Sequence, residues 1–351
     1  MNITILYSRV AGYVIACLKA LVASEDSIRL QVFHWPASPN APFNLNELQW
    51  IDELHIKESQ GASEITKDVR AFSPDAVLMS GWIDETYLKV ARSIRGDGTP
   101  VVAGCDTQWT GSLRQQLGRM AAPWYLHSAI DVLWVPGERQ RQLAKRLGYS
   151  NLNCWTGYYS CDWSHFAQVK SEEATTEPFF LYVGRYVEEK GVDVLMEAYR
   201  SYRDHVEDPW PLVTAGAGPM EHLFVSGAGV DNRGFVQPDR LPNLMNAAGA
   251  FVLPSRYEPW GVVIHEAATT GVPILCSAAC GAGVHLVQDG YNGYQVETGN
   301  AEHLAQRMER MTAVSGDERA RMGDRGHELS KQFTPQQWTQ TFLQGVRQLK
   351  S

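Results

Sequence analysis

The feature that most constrains the fold of this chain is an alternation of short β-rich runs with helical stretches, which occurs twice along the sequence. In the first half, the predicted strands are Ile3–Tyr7, Leu30–Trp35, Asp75–Ser80, Pro100–Gly104 and Asp131–Pro136. The helical stretches between and after them are Tyr13–Ser24, Glu64–Phe72, Thr86–Ile94 and Glu138–Leu147. Strands that alternate with helices are typical of a parallel sheet with crossover helices. We therefore predict a doubly wound α/β fold for this half.

The second half repeats the pattern after a polar segment, Ala167–Pro178, whose composition is typical of a linker. The predicted strands are Phe179–Gly184, Pro211–Gly216, Arg233–Val236, Ala250–Ser255, Pro273–Ser277 and Gly293–Glu297. The predicted helices are Val192–Arg203, Leu241–Ala247, Val262–Thr270 and a long helical region, Ala301–Ser330. This half is therefore also predicted to be a doubly wound domain.

The length of 351 residues fits two domains of similar size. We place two Rossmann-like domains at residues 1–168 and 169–333, facing across a cleft. Open α/β sheets bind ligands at the carboxyl ends of their strands, so we expect the chemistry between the domains. Residues 334–351 are predicted to form a helix, because Thr334 can cap it, Pro335 suits its first position and Gln337 completes a capping box. Its packing partner is left open, the N-terminal domain being one option.

Charge and apolar patterning exclude several classes of protein. The net charge of −8 argues against nucleic-acid binding, which needs clustered Lys and Arg. The first ten residues are typical of a β-strand rather than a signal peptide, and no run of eighteen apolar residues occurs. We therefore expect a cytoplasmic location and no transmembrane segment, with weak peripheral membrane contact left open. The six cysteines show no metal-binding spacing, so we expect buried thiols and no metal site.

Two glutamates in the segment FVLPSRYEPWGVVIHEA are the most informative candidates for chemistry. Glu258 lies in the predicted loop before a helix, Gly261 stands at the helix start, and Glu266 follows inside the helix. A helix N-terminus suits a diphosphate, and glycine allows close approach of the backbone. Glutamates at such a place can accept hydrogen bonds from sugar or ribose hydroxyls. Alternatively, they are a helix-start carboxylate and a solvated surface residue.

Two cations and two glycine turns follow other strands of the second half. Gly184 is followed by Arg185 and then by Lys190, which can together neutralise a diphosphate leaving group. The alternative is a solvated pair of surface cations. The glycine turns are AGAGP, with Gly216 and Gly218, and GFV, which ends at Val236. They are predicted to lie near a nucleotide, although a purely structural role stays open.

These segments resemble, in order and approximate spacing, the nucleotide-binding half of the retaining glycosyltransferases of family four. The segments that match are GRYVEEKG, GAGP, GFV, LPNLMNAAGAFVLPSRYEPWGVVIHEA, GVPILCS and DGYNGYQV, within residues 179–297. The resemblance implies the GT-B fold, with an acceptor-binding N-terminal domain and a C-terminal domain that binds a nucleotide diphosphate sugar. It also implies transfer of the sugar to a saccharide, glycolipid or small-molecule acceptor, with retention and without a metal or other cofactor. By analogy with the family, the resemblance suggests a role in polysaccharide biosynthesis.

The resemblance also assigns roles to individual residues. Arg185 and Lys190 would hold the diphosphate, Glu258 would contact the transferred sugar, and Glu266 would bind the ribose. The other donor-site candidates, which would supply backbone contacts or lie near the base, are Gly184, Gly216, Gly218, Val236, Pro259, Trp260, Gly261, Val262 and Val263.

The first half resembles the family more loosely. Asp106, after the strand Pro100–Gly104, stands where relatives often present a side chain to the sugar or acceptor. Trp109 is a candidate for acceptor stacking in the same loop, and Gly12 alone stands where a glycine pair is usual. A helix-cap or turn role is the alternative for Asp106.

Two other interpretations of the whole chain stay open, and a third is disfavoured. A sugar-nucleotide epimerase or hydrolase on the same fold and a non-catalytic nucleotide-sugar-binding protein stay as alternatives. A nicotinamide-dependent oxidoreductase is disfavoured, because no G-x-G-x-x-G follows the first strand. The donor base, the sugar, the acceptor and the oligomeric state are not indicated.

Overall fold

A computed structural model describes residues 1–36, 48–168, 177–225, 227 and 229–350. Most of the predicted linker, residues 169–176, lies outside the described residues. Contacts within the chain divide it into two units, which are Met1–Ser160 together with Pro335–Ser351, and Cys161–Thr334.

The first unit is built on a seven-stranded parallel sheet of order β3-β2-β1-β4-β5-β6-β7. Its strands are β1 (Asn2–Tyr7), β2 (Arg29–His34), β3 (Glu53–Ile56), β4 (Ala76–Met79), β5 (Val101–Gly104), β6 (Val132–Val135) and β7 (Cys154–Thr156). Its first five helices are α1 (Gly12–Ser24), α2 (Ala62–Phe72), α3 (Glu85–Gly96), α4 (Leu113–Tyr125) and α5 (Glu138–Arg146). The doubly wound fold predicted for this half is confirmed.

Three elements of the first unit were not predicted from the sequence. The edge strand β3 alternates between half-buried and exposed residues, so it lacks the apolar run that identifies a buried strand. The other edge strand, β7, has only three residues. Helix α4 contains Pro123 and buries only Ala122, so it shows no apolar face toward a core.

The second unit is built on a six-stranded parallel sheet of order β10-β9-β8-β11-β12-β13. Its strands are β8 (Phe180–Val183), β9 (Leu212–Ala215), β10 (Val230–Asn232), β11 (Ala250–Leu253), β12 (Ile274–Ser277) and β13 (Gly293–Val296). Its helices are α6 (Trp163–Ala167), α7 (Val192–His205), α8 (Leu241–Asn246), α9 (Val262–Thr270), α10 (Gly283–Leu286), α11 (Ala301–Thr312) and α12 (Gly316–Ser330).

Two predictions for this unit need correction. Strand β10 lies before the predicted range Arg233–Val236, because Gly234 has a φ of 59° and ends the extended conformation. The long helical region predicted at Ala301–Ser330 is divided into two helices, because the Ser315 side chain accepts from the backbone of Glu318 and starts a new helix.

The division of the chain falls after Ser160 rather than at residue 168. The backbone N–H of Cys161 donates to His265 Nδ1 at 3.0 Å, and Trp163 Nε1 donates to Ser330 Oγ at 2.9 Å. These bonds attach the segment to α9 and α12 of the second unit.

Helix α13 (Pro335–Lys350) packs on the first unit. Trp338 and Phe342 stack on Trp134, with ring centroids 4.7 and 5.9 Å away. Trp338 Nε1 also donates to the carbonyl of Tyr158 at 2.9 Å. Leu349, in the last turn of the helix, is exposed.

All six cysteine side chains are buried, and no disulfide joins any of them within the described residues. No helix in the described part of the chain is long and apolar enough to cross a membrane.

Candidate active site

Two loops at the carboxyl edge of the second sheet, one after β8 and one after β11, are bound tightly to each other. The N–H groups of Arg256 and Tyr257 both donate to the carbonyl of Glu189, at 2.8 and 3.1 Å. Gly191 has a φ of 65°, and a Cβ there would lie 2.3 Å from the carbonyl oxygen of Pro254. Only glycine therefore allows this approach of one loop to the other.

An ion pair between Lys190 and Glu258 joins these loops at the side-chain level. Only 16% of the lysine side chain and 10% of the glutamate side chain are exposed. Gly261, with a φ of 91°, would bring a Cβ to 3.0 Å from Glu258 Cγ. Both charges are therefore held in place, and removing either would leave the other partly buried without this partner.

Arg185 lies at the same edge but stays exposed. Its guanidinium makes no hydrogen bond or ion pair with the residues that the structure describes, whereas its carbonyl accepts from Tyr182 Oη at 2.8 Å. Burial raises the pKa of Tyr182 well above its usual value, and the Glu258 carboxylate raises this pKa further while Arg185 opposes it. Arg185 and Glu258 thus both lie close enough to Tyr182 to influence the pKa of its phenol. Among the described residues the Arg185 guanidinium has no partner, so it is available to a ligand.

Helix α9 begins at this edge without a side-chain cap. Its N-cap is Gly261, so the first backbone N–H groups, those of Val262 and Val263, have no side-chain acceptor on the cap. Both valines are half-buried. An uncapped helix N-terminus of this kind is suited to an anion.

Glu266 lies on the second turn of α9 and is half-buried. Burial raises its pKa to about 7, and the nearby Asp162 carboxylate adds to the shift. The Glu266 carboxyl group makes no hydrogen bond or ion pair within the described part of the chain. It is therefore available to a ligand as acceptor or, when protonated, as donor.

The neighbouring His265 has a structural role. It is fully buried, and burial lowers its pKa to about 4. Nδ1 accepts from the Cys161 backbone, and Nε2 lies 3.0 Å from the carbonyl oxygen of Ser330. These partners fix a neutral ring with its proton on Nε2.

The predicted donor-site glycines are packed against other parts of the same protein. A Cβ on Gly216 would lie 1.9 Å from the carbonyl oxygen of Gly184, and one on Gly218 would lie 2.5 Å from that of Tyr186. Gly216 N–H also donates to the carbonyl of Gly234 at 2.8 Å. The absence of side chains at these positions is explained by close packing of the strand ends.

The remaining donor-site candidates differ in accessibility. Val236 is half-buried and follows Gly234. Pro259 is half-buried, and its carbonyl oxygen would lie 2.0 Å from a Cβ on Gly281. Trp260 is 2% exposed, with its ring packed near His285 and Phe333. Trp260 therefore belongs to the core, and its carbonyl accepts from the backbone N–H of Ala282 at 2.8 Å.

In the first unit, Asp106 belongs to a cluster with tyrosines that the sequence did not identify. Tyr159 Oη donates to Asp106 Oδ2 at 3.1 Å, and the rings of Tyr13 and Tyr159 are 5.4 Å apart. Burial raises the pKa of Tyr13 to about 12, with Asp106 adding to the shift. Gly12, at the start of α1, precedes Tyr13 and is exposed. The pair Tyr158-Tyr159 in the sequence was the available signal, but tyrosines are common core residues.

A pocket of about 470 Å³ lies in the first unit beside Asp106. The wall includes both polar and apolar side chains of the loops after β4 and β5 and of α4 and α5, among them Ser80, Trp82, Asp106, Arg114, Gln115 and Leu143. Trp109 does not line it. The Trp109 ring is half-buried, packs against the core and lies 4.9 Å from the Arg146 guanidinium carbon.

No group of three or more His, Cys, Asp and Glu side chains is placed to hold a metal ion among the described residues.

The candidate site of the second unit lies in a segment that matches a known protein family. Residues 165–329 match the family Glycosyl transferases group 1. A lipopolysaccharide core biosynthesis glycosyltransferase, LpsE from Rhizobium meliloti, is 32% identical over 182 residues, which cover 50% of this chain and 52% of that protein. A glycogen synthase from Mycobacterium tuberculosis is 36% identical over 234 residues, 62% of this chain and 55% of that one. The chain spans about half the length of the curated relatives it matches.

Solved structures match the fold over nearly the whole chain. HepE from Anabaena in complex with UDP has a TM-score of 0.79 at 16% identity, covering 99% of this chain and 100% of that one. A glycosyltransferase from Rickettsia africae has a TM-score of 0.80 at 13% identity, covering 100% and 98%. The predicted fold of two Rossmann-like α/β domains is thus confirmed.

The group 1 segment contains the whole cluster at the edge of the second sheet. Arg185, Lys190, Glu258, the N-terminus of α9 and Glu266 all lie between residues 165 and 329. Asp106, Tyr159 and the pocket of the first unit lie outside it.

Proposed function

We propose that this chain is a family-four retaining glycosyltransferase that moves a sugar from a nucleotide diphosphate sugar to an acceptor without a metal ion or other cofactor. One observation carries the proposal. Arg185, the Lys190–Glu258 ion pair and the uncapped N-terminus of α9 share one sheet edge within the group 1 segment.

The charge at this edge is suited to a diphosphate leaving group. The Arg185 guanidinium has no hydrogen-bond or ion-pair partner among the described residues, and its fork geometry can bind two phosphate oxygens. Lys190 and the N–H groups of Val262 and Val263 add positive charge from the adjacent loop and helix. Groups held in place before the reaction stabilise developing charge without reorganisation.

The two glutamates are proposed to hold the hydroxyl groups of the donor. Glu258 is fixed by Lys190 and would accept from the transferred sugar, while Glu266 would bind the ribose. Val236 is proposed to lie near the base. Asp106, held by Tyr159, is proposed to contact the sugar or the acceptor, and the pocket beside Asp106 to receive part of the acceptor.

A panel of nucleotide diphosphates and their sugars tests the donor site. HepE, whose fold this chain shares, has been solved in complex with UDP, so UDP is the first to try, with GDP and ADP beside it. A ligand at a hundred times its Kd adds about 2.7 kcal/mol of stability, which a thermal shift detects. Stabilisation by none of the three would count against the proposal.

The reaction is tested with the donor that stabilises the protein. We expect transfer to persist in EDTA and the product to keep the anomeric configuration of the donor, as read by NMR. An inverted product would contradict retention, and activity that requires added metal would contradict metal independence. An epimerised nucleotide sugar, or release of sugar that no acceptor accelerates, would favour the epimerase or hydrolase.

A further inference from the structure

Helix α4 of the first unit exposes an unusual amount of apolar surface. Of its thirteen residues only Ala122 is buried. Leu113, Leu117, Met120 and Trp124 are 78, 66, 70 and 78% exposed. Contiguous apolar surface of this kind marks a site of interaction rather than ordinary surface.

The four exposed residues form one stripe. At about 100° per residue, the positions 113, 117, 120 and 124 fall within an arc of about 60° on the helix. A different face of α4 lines the pocket beside Asp106, through Arg114, Gln115, Gly118, Ala121 and Tyr125. The pocket wall also includes Ile83, which is 90% exposed. The stripe therefore lies on a face of α4 that does not line the pocket.

The charges around this stripe distinguish between two candidate occupants, a second copy of the chain and an anionic membrane. Residues 107–130 contain Arg114 and Arg119 and no Asp or Glu, although the whole chain has a net charge of −8. Both arginines are exposed, and the helical spacing puts them on opposite sides of the stripe. A second copy of the helix would bring like charges together, which disfavours self-association. An apolar stripe flanked by arginines suits the interface of an anionic lipid bilayer.

We infer that α4 docks on the surface of an anionic membrane, with Leu113, Leu117, Met120 and Trp124 inserted among the lipid headgroups. Because another face of the same helix lines the pocket, docking would bring the pocket beside the headgroups. This inference goes beyond the proposed transfer reaction, and its test needs no turnover.

Sedimentation of the full chain with vesicles tests the inference. One vesicle preparation contains only phosphatidylcholine, and the other contains equimolar phosphatidylcholine and phosphatidylglycerol. We expect binding to the anionic vesicles at low ionic strength and its loss near 1 M salt, where the Debye length is about 3 Å. The double substitution Leu117→Gln/Trp124→Gln should weaken this binding by about tenfold or more. Arg119→Gln should weaken it by about fivefold.

Leu152→Gln is the matched control, because Leu152 is 84% exposed in the same unit but lies on the turn before β7. It should bind anionic vesicles as the wild type does. Circular dichroism and thermal melts verify that each variant is folded. Equal binding of the double variant and the wild type, no preference for the anionic vesicles, or no binding would overturn the inference. Light scattering that shows a dimer lost in the double variant would also overturn it, in favour of a second copy.

Discussion

At the scale of single residues, each candidate cluster depends on one contact between distant parts of the chain, Lys190 with Glu258 in the second unit and Tyr159 with Asp106 in the first. Arg185, Lys190 and Glu258 were placed at strand ends by the alternation of strands and helices. The ion pair of Lys190 with Glu258 joins residues far apart in sequence, so no local pattern indicates it. For the same reason, the sequence did not indicate the hydrogen bond from Tyr159 to Asp106.

Replacing Lys190 by alanine is expected to affect both rate and stability. Loss of one preorganised donor to developing charge costs roughly 3 kcal/mol, a hundredfold or more in kcat/KM. The free energy of unfolding should also fall by about 2 kcal/mol, because Glu258 is left partly buried without its cation. Steady-state kinetics and denaturation measure the two effects.

The matched control for that variant is Lys331→Ala. Lys331 pairs with Glu328 in the same unit, but both side chains are about half exposed or more. Exposed pairs contribute little, so neither rate nor stability should change measurably. Near-normal turnover of Lys190→Ala would contradict the proposed role of Lys190 in binding the diphosphate.

Tyr159→Phe tests whether Asp106 must be positioned by its tyrosine. A hydrogen bond to a charged group is typically worth about 1.5–3 kcal/mol, so kcat/KM for the acceptor should fall by about tenfold or more. Donor binding, measured by thermal shift, should be unchanged. Tyr149→Phe is the control, because Tyr149 Oη donates to the carbonyl of Ile130, away from Asp106. A loss of rate in Tyr149→Phe equal to that in Tyr159→Phe would indicate a general structural effect.

Glu266→Gln should make the stability of the protein depend differently on pH. The pKa of Glu266 is about 7 in the folded chain, against a reference value of 4.5. The folded state therefore binds more protons, and the wild type loses stability as pH rises between these values. Glutamine has no such loss. Relative to the wild type, the variant should gain about 1–2 kcal/mol between about pH 5 and about pH 8, the full shift being discounted because Glu266 is half-buried.

Urea denaturation at both pH values measures this difference. Glu309→Gln replaces an exposed carboxyl group on α11 and serves as the control. A difference between Glu266→Gln and the wild type that stays constant over the pH range would show that Glu266 does not ionise as proposed.

At the scale of elements, prediction succeeded where a strand is buried on both faces. The strands β1, β4, β5 and β11 consist mainly of buried apolar residues, and a continuous apolar run is visible in the sequence. The edge strand β3 is half exposed and shows no such run. Helix α4 was missed because its apolar residues face outward rather than toward a core.

Helix α13 allows a prediction whose sign is opposite to intrinsic helix propensity. Replacing a helical glycine by alanine normally stabilises a helix by about 1 kcal/mol. A Cβ on Gly345 would lie 2.1 Å from the ring of Trp155, so Gly345→Ala should instead destabilise the protein by about 1–3 kcal/mol. Gly96→Ala on α3 meets no atom within 4 Å and should be neutral or stabilising. Thermal melts compare the two, and stabilisation by both would contradict the packing of α13.

At the scale of the whole molecule, the chain passes twice between its two units, after Ser160 and after Thr334. The sequence predicted α13 from its capping residues but left its packing partner open, because the residues of one helix do not specify the surface that it covers. The aromatic rings of Trp338 and Phe342 are complementary to Trp134, and this match is visible only in three dimensions.

Phe342→Ala should therefore weaken the first unit selectively. Phe342 is fully buried, and truncation of a core phenylalanine costs about 3–5 kcal/mol. Amides of β1 and β6, whose residues share its core cluster, should exchange hydrogen faster. Those of β8 and β11 should change little. A uniform loss of protection in both sheets would show that the units unfold together.

The position of α13 also sets an order for biosynthesis. Residues 161–334 form a contiguous unit and leave the ribosome before residues 335–350 do. The second sheet can therefore finish folding before Trp338 of α13 is available to stack on Trp134. The first unit, although most of it is synthesised first, is therefore the last to complete its core. A nascent chain arrested before Pro335 would expose the Trp134 indole to chaperones.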